Sequence, residues 1–175
     1  MKGCIARYRQ GCPVPTSTMH TKDIPMHVVL LEPEIPPNTG NISRVCAATG
    51  SVLHLVGKLG FSTDDRYLKR AGLDYWEYVD IRYHKDMEEL YNAAGDARFF
   101  YLSSKVEKPY TQAKFQRGDY LVFGKETAGL PKELIEANMD RTFTIPIYTK
   151  HVRSLNLSTA VGVVLYEALR QTDGF

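Results

Sequence analysis

IPIYTKHVRSLNLSTAVGVVLYEALR, residues 145–170, runs a polar, cation-bearing loop directly into a strongly apolar helix. Within the helix Val161, Val164, Leu165, Ala168 and Leu169 recur at spacings of three and four, which puts them on one buried face. Asn156 or Ser158 can cap the start, because a short side-chain oxygen accepts from the free N–H groups of a first turn. A buried helix therefore begins where a polar loop ends, and that loop can present backbone groups to a ligand.

Working outward, 175 residues with 43% hydrophobic composition fit one domain, long enough to bury roughly 70% of its unfolded surface. Cys4, Cys12 and Cys46 are odd in number and form no repeated CxxC. That usage argues against structural zinc and favours a reducing compartment, the cytoplasm. No run of about 18 apolar residues predicts a membrane span. The net charge of +2 says little about partners, so its distribution matters more. Cations cluster at Arg66, Lys69 and Arg70, at Lys105 and Lys108, at Lys114 and Arg117, and at Lys150, His151 and Arg153. Each cluster reads first as solvated surface. Residues 1–25 carry three prolines and no apolar period. We read them as an extension, disordered or foreign to the fold, ahead of a domain spanning 26–175. Arg7, Tyr8, Arg9 and Gln10 interrupt any apolar core of a secretory signal.

From His27 onward short apolar runs alternate with helical patterns. Strands are expected at Val28–Leu31, Val52–Val56, Tyr78–Arg82, Phe99–Leu102, Tyr120–Phe123 and Thr142–Ile145. Helices are expected at Thr39–Thr49, ending on Gly50, at Asp64–Ala71, at Asp86–Ala94, and at Pro131–Ala137, with proline in its tolerated first position. This order predicts an α/β fold with a parallel sheet and helices on both faces. Such sheets bind ligands at the carboxyl ends of their strands. Three unusual loops leave strands there, 32–41, 124–131 and 146–155, and together can line one site.

In EPEIPPNTGNISR, Pro33, Pro36 and Pro37 stiffen the backbone and Gly40 permits a turn. Asn38, Asn41 and Arg44 then stand near a helix start, where free N–H groups favour anions. Arg44 can grip a phosphate or steady a developing oxyanion; alternatively Asn38 or Thr39 caps the helix and Arg44 is an ordinary surface cation. In FGKETAGLP, Gly124 lets a ligand approach the main chain, while Glu126 can accept from a ribose hydroxyl, an amine or another loop's N–H. The plain alternative is a tight connection with a structural carboxylate. The loop matches neither GxGxxG nor GxxxxGK[ST]. Ser154 lacks the GxSxG context of a nucleophile, and the chain shows no metal-ligand pattern.

EPEIPPNTGNISR, LVFGKETAGLP and IPI followed by RSLNLSTAVGVVLYEALRQ, in this order, resemble the three signature motifs of the SpoU branch of the SPOUT RNA methyltransferases. GFSTDDRYLKRAGLDYWEYVDI extends the resemblance toward the small single-domain members that methylate a tRNA wobble ribose. The resemblance covers Met26 to about Gln171. It implies a parallel α/β sheet whose C-terminal segment forms a deep trefoil knot, a homodimer, and S-adenosylmethionine as cofactor. It further implies transfer of a methyl group to the ribose 2′-OH of tRNA nucleotide 34, a cytidine or modified uridine, recognised within the anticodon stem-loop. On this basis Leu102, Gly124, Glu126, Ile145, Ser154 and Leu155 are expected around the cofactor. Arg44, Asn41 and Asn156 are expected at the catalytic centre, and Asn38, Lys150 and Arg153 against RNA. A guanidinium resists deprotonation, so Arg44 can serve as base or as electrostatic stabiliser. Methylation of another RNA such as rRNA, and RNA binding without catalysis, are the alternatives. The segment IYTKHV departs from the family by about one extra residue and by carrying Lys150 and His151.

Overall fold

Four of the apolar runs, HVVLL, VLHLV, FFYL and YLVF, are buried along almost their whole length, as strands covered on both faces must be. The structure is a computed structural model that describes residues 24–61 and 78–174. In chain order the elements are β1 (His27–Leu31), α1 (Pro36–Thr49), β2 (Val52–Val56), β3 (Ile81–His84), α2 (Met87–Ala94) and β4 (Phe99–Leu102). They continue with β5 (Tyr120–Phe123), α3 (Lys132–Glu136), β6 (Thr142–Phe143) and α4 (Leu157–Asp173). The expected helix at Asp64–Ala71 lies outside the described residues.

The strands form one sheet in the order β3-β2-β1-β5-β4-β6, with every pairing parallel. Alternate side chains leave opposite faces of a strand, and the core divides accordingly. Val28, Leu30, Leu121 and Phe123 pack with Ile42 and Cys46 of α1 and the apolar face of α4. Val29, Tyr120 and Val122 pack with Leu90 of α2 and Ile135 of α3. Val161, Val164, Leu165, Ala168 and Leu169 are the buried residues of α4, and full burial of a valine or leucine is worth roughly 1.5–3 kcal/mol. Asn156 is its cap: the side-chain oxygen accepts from Ser158 N at 2.9 Å and Thr159 N at 3.4 Å.

Besides one-residue shifts at β1, α2 and the end of α3, several boundaries differ from the sequence reading for a local reason. α1 begins at Pro36, three residues early, because the two prolines occupy its first two positions, where no N–H is needed. Asn38, Gly40 and Asn41 are consequently helical, and Gly40 makes no turn. β3 is shifted to 81–84 because its pairing with β2 runs on to Val56↔His84, with Gly57 N donating to His84 O. β6 stops at Phe143 because Thr144 pairs instead with the 108–110 segment. Pro131 caps α3 rather than opening it. The buried packing also reaches back to Ile24.

One polar feature crosses the sheet. His27 Nδ1 lies 2.8 Å from His54 Nε2, and His54 Nδ1 lies 2.9 Å from His84 Nε2. His27 stacks flat on Tyr120 with ring centroids 4.1 Å apart. Burial, with help from the Arg82 charge, pushes the His27 imidazole down to about 4. His54 is lowered as well, by burial first and then by its two histidine neighbours. This chain of imidazoles is neutral around pH 7 and joins β1, β2 and β3.

Candidate functional site

At the carboxyl ends of β1, β4, β5 and β6 lies a cavity of about 560 Å³. Its wall includes Ile35 and Asn38 from the first loop and α1, residues 124–129 from the second loop, and Ile147 and Arg153–Leu157 from the third. The three loops singled out in the sequence do converge. Asn38, Leu102, Gly124, Glu126, Ile145, Arg153, Ser154, Leu155 and Asn156 line the cavity. Arg44 and Asn41 do not: both are exposed on α1, one turn apart. Lys150 is exposed beyond the rim.

The first two loops are tied together by side chains. Glu126 accepts from Glu34 N (2.9 Å), Ile35 N (3.2 Å) and Asn38 Nδ2 (2.9 Å). In return Glu34 accepts from Thr127 N (3.2 Å) and Thr127 Oγ1 (2.7 Å). Lys125 Nζ stands 2.8 Å from Glu32 Oε2, and that partner raises the Lys125 pKa. Glu32 itself has a φ of 50°, a left-handed backbone that a non-glycine residue adopts only when its surroundings enforce it. The chain of bonds continues into the third loop, where Asn156 Nδ2 donates to Asn38 Oδ1 at 2.9 Å. Glu126, Asn38 and Asn156 therefore connect the second loop through α1 to the first turn of α4. Of the roles open to Glu126 in the sequence, the geometry fills one, acceptance of another loop's N–H groups.

Gly124 is required for a different reason than close approach by a ligand. A Cβ built there would sit 2.1 Å from Gly129 C and 2.2 Å from Leu130 N, contacts no side chain survives. The turn folds back on the strand end, closed by Gly129 N donating to Lys125 O at 2.8 Å with Gly129 at a φ of 69°. The chain itself, not a ligand, fills the space beside Gly124.

A fourth loop was missed. Ser103, Ser104 and Lys105, after β4, line the cavity, and Lys105 Nζ donates to Ala128 O (3.0 Å) and Leu130 O (3.3 Å). Its position at a carboxyl strand end is the signal in the sequence, where Lys105 reads as one of the surface cations. The wall is mixed in character. Leu102, Phe123, Ile145, Leu155, Leu157 and Ala160 are apolar, while Asn38, Ser154, Asn156 and main-chain groups supply polarity. An apolar slot with a few convergent polar groups is what a flat heterocycle bearing a polar sugar requires. Among the described residues, no group of three or more His, Cys, Asp or Glu could hold a metal ion. No helix there is long and apolar enough to cross a membrane.

Comparison with known proteins places this geometry among relatives. Residues 25–166 match the SpoU rRNA Methylase family. A Yersinia pestis relative named tRNA (cytidine(34)-2'-O)-methyltransferase is 47% identical over 152 residues, covering 83% of this chain and 93% of its own. A solved structure described by the words "2-OH methylation of C/U34 on tRNA" superposes with a TM-score of 0.79 at 48% identity, covering 83% of this chain and 95% of its own. An rRNA methyltransferase from Sinorhizobium meliloti with bound AdoMet is 26% identical with a TM-score of 0.73, covering 86% of this chain and 59% of its own.

Proposed function

Because the chain belongs to the SpoU methylase family, we propose that it moves a methyl group from S-adenosylmethionine to the ribose 2′-oxygen of tRNA nucleotide 34, a cytidine or a modified uridine. The observation that carries this reading is the convergence of the three signature loops on one cavity at the carboxyl ends of the sheet. The residues there suit the cofactor: Leu102, Ile145 and Leu155 offer apolar contact to an adenine, and main-chain groups at Gly124 and Ser154 lie beside them. Bound S-adenosylmethionine supplies an electrophilic methyl on a sulfonium.

The rest is the work of this chain. The methyl so supplied would pass to the ribose 2′-oxygen, whose proton would be released to solvent. In-line positioning supplies much of the acceleration of such a transfer, and the bonded loops hold the walls fixed for it. Asn156, held by Asn38, sets the third loop. Asn41 and Arg44 are exposed on α1, outside the single-chain cavity. There Arg44 anchors the substrate phosphate or stabilises the incipient alkoxide. Arg153, on the cavity wall, and Lys150 complete the RNA contacts; Asn38, expected with them from the resemblance, is buried with its amide engaged by Glu126 and Asn156 and serves the scaffold instead. The same resemblance carries a knotted C-terminal segment and a homodimer; the cysteine usage carries the cytoplasm, and composition carries a methyltransferase domain at 26–175 behind an extension at 1–25, a boundary that the buried Ile24 moves two residues earlier.

The test is incubation of the chain with labelled S-adenosylmethionine and total tRNA, followed by nucleotide-resolution mapping of ribose methylation. Label at position 34 is the expected result, and label only at other positions, or none, overturns it. In the same assay Arg44→Ala abolishes turnover while cofactor affinity stays near that of the parent.

A further inference from the structure

The segment between β6 and α4 is only partly accounted for by the cavity. Ile147 and Arg153–Asn156 form its wall, whereas Tyr148, Lys150, His151 and Val152 face solvent. Tyr148 is 96% exposed. Its ring therefore contributes nothing to packing, although an aromatic side chain is among the largest apolar surfaces a fold can bury. Along the chain the charge beside it is one-sided: Lys150 and Arg153 flank the ring, and no carboxylate lies between Arg141, itself paired with Asp140, and Tyr166. His151 N donates to Thr149 Oγ1 at 3.2 Å, a local bond that turns the chain beside the ring.

We propose that Tyr148 is a stacking platform for an unpaired base of the RNA substrate adjacent to the methylated nucleotide, with Lys150 and Arg153 holding the flanking phosphates. The inference rests on the ribose methyltransferase reading and adds to it a residue that selects single-stranded substrate. Every base presents a π-face, so an exposed aromatic ring binds unpaired bases with little regard to sequence, and a duplex keeps those faces covered. Position also fits. Tyr148 adjoins Ile147 of the cavity wall, about 3.8 Å away between Cα atoms, so a base on its ring neighbours a ribose at the cavity mouth. The absence of carboxylates across this stretch suits a polyanion and not a basic peptide.

The test uses the full chain without cofactor and measures binding to a synthetic hairpin RNA with an unpaired loop, against a blunt duplex of the same length. Tyr148→Ala weakens hairpin binding on the order of 5- to 100-fold and leaves duplex binding unchanged. Tyr148→Trp retains affinity, and its fluorescence is quenched by the hairpin beyond any change in the parent, whose one tryptophan is Trp76. Lys150→Ala lowers the salt slope of hairpin binding by about one. Cofactor affinity and melting temperature do not move in Tyr148→Ala, since the ring packs on nothing. Parent-like hairpin binding by Tyr148→Ala overturns the proposal. So does a change of sedimentation behaviour, which would mean that the ring is covered by a second copy of the chain. A chain that binds through Tyr148 but methylates no RNA would instead refute the enzymatic reading and leave this one standing.

Discussion

The cavity has two kinds of wall. On one side, the loops after β1 and β5 are cross-bonded through Glu126, Glu34, Thr127 and the Lys125–Glu32 pair. On the other, the segment after β6 puts Tyr148, Lys150, His151 and Val152 into solvent, and the bond at its centre is local. The two walls spend their polar groups differently. The bonded wall directs carboxylates at backbone N–H groups of a neighbouring loop, which fixes its shape before any ligand arrives. The open wall keeps its aromatic and cationic groups unengaged with the rest of the fold, and such groups gain most from a partner that is not part of the chain. Preorganisation on one side and availability on the other suit a site that must hold a small molecule and meet a large one.

The largest expected effect comes from breaking the bonded wall at its base. Gly124→Ala places a Cβ inside the van der Waals radius of Gly129 and Leu130 main chain, where no side-chain rotation can relieve it. The turn must move, at a cost of about 3 kcal/mol or more, and cofactor binding by calorimetry is lost with it. A variant that melts and binds like the parent would show that the turn is pliable and the contrast between the walls weaker than drawn. Next in size is Glu126→Ala. It leaves Glu34 N, Ile35 N and the Asn38 amide without their acceptor, and because the site is only part-buried water recovers some of the loss. A destabilisation of roughly 2–4 kcal/mol in urea titration is expected. Glu126→Gln recovers part of it, since an amide oxygen still accepts while the amide nitrogen faces a donor. Cofactor affinity should fall in step with stability. If stability falls and affinity holds, the wall is scaffold and not site.

Much of this division was legible in the sequence, and the remainder shows what a single chain conceals. Val161, Val164, Leu165, Ala168 and Leu169 declared the buried face of α4 because period alone fixes it, and Gly50, left-handed at 66°, ended α1 as expected. The convergence of three loops followed from a rule about where parallel strands end. What stayed hidden was partnership across distance. Glu126 and Asn38 are 88 residues apart, and Asn38 and Asn156 are 118 apart; no periodicity pairs them. The reason for Gly124 was likewise invisible, because only the folded turn shows which backbone crowds it. Pro36 and Pro37 read as stiffeners of a loop and proved to be the first turn of a helix, since proline fits both. The imidazoles of His27, His54 and His84 stand in three separate strands and announce nothing until the sheet sets them diagonally across neighbouring strands, each two residues out of register with the next.

Those imidazoles supply the smallest of the expected effects and the one that discriminates between the walls. The bonded wall hangs from β1 and β5, the strands joined where His27 stacks on Tyr120; the open wall grows from β6 at the far edge of the sheet. A histidine whose folded pKa lies below its unfolded value of about 6.5 binds its proton preferentially in the unfolded chain. Above that value it leaves stability unchanged. As pH falls below it, stability is lost until the folded pKa is reached, near 4 for His27, with His54 acting in the same direction. For His27 alone the loss is on the order of 2 kcal/mol by pH 5. Asp119 opposes this below about pH 6, the value to which burial pushes its carboxyl, since a raised carboxyl pKa makes the folded state the better proton acceptor. Two histidines against one carboxylate leave a net loss. Melting temperature should therefore be flat from pH 8 to pH 7 and decline between about pH 6.5 and pH 5, with His54→Leu flattening the decline. Over the same range, cofactor affinity should weaken before hairpin binding at Tyr148 does, because acid loosens the strands that carry the bonded wall first. A melting temperature that stays level to pH 5 would mean that the imidazole chain accepts a proton in place, and the two walls would then respond to acid alike.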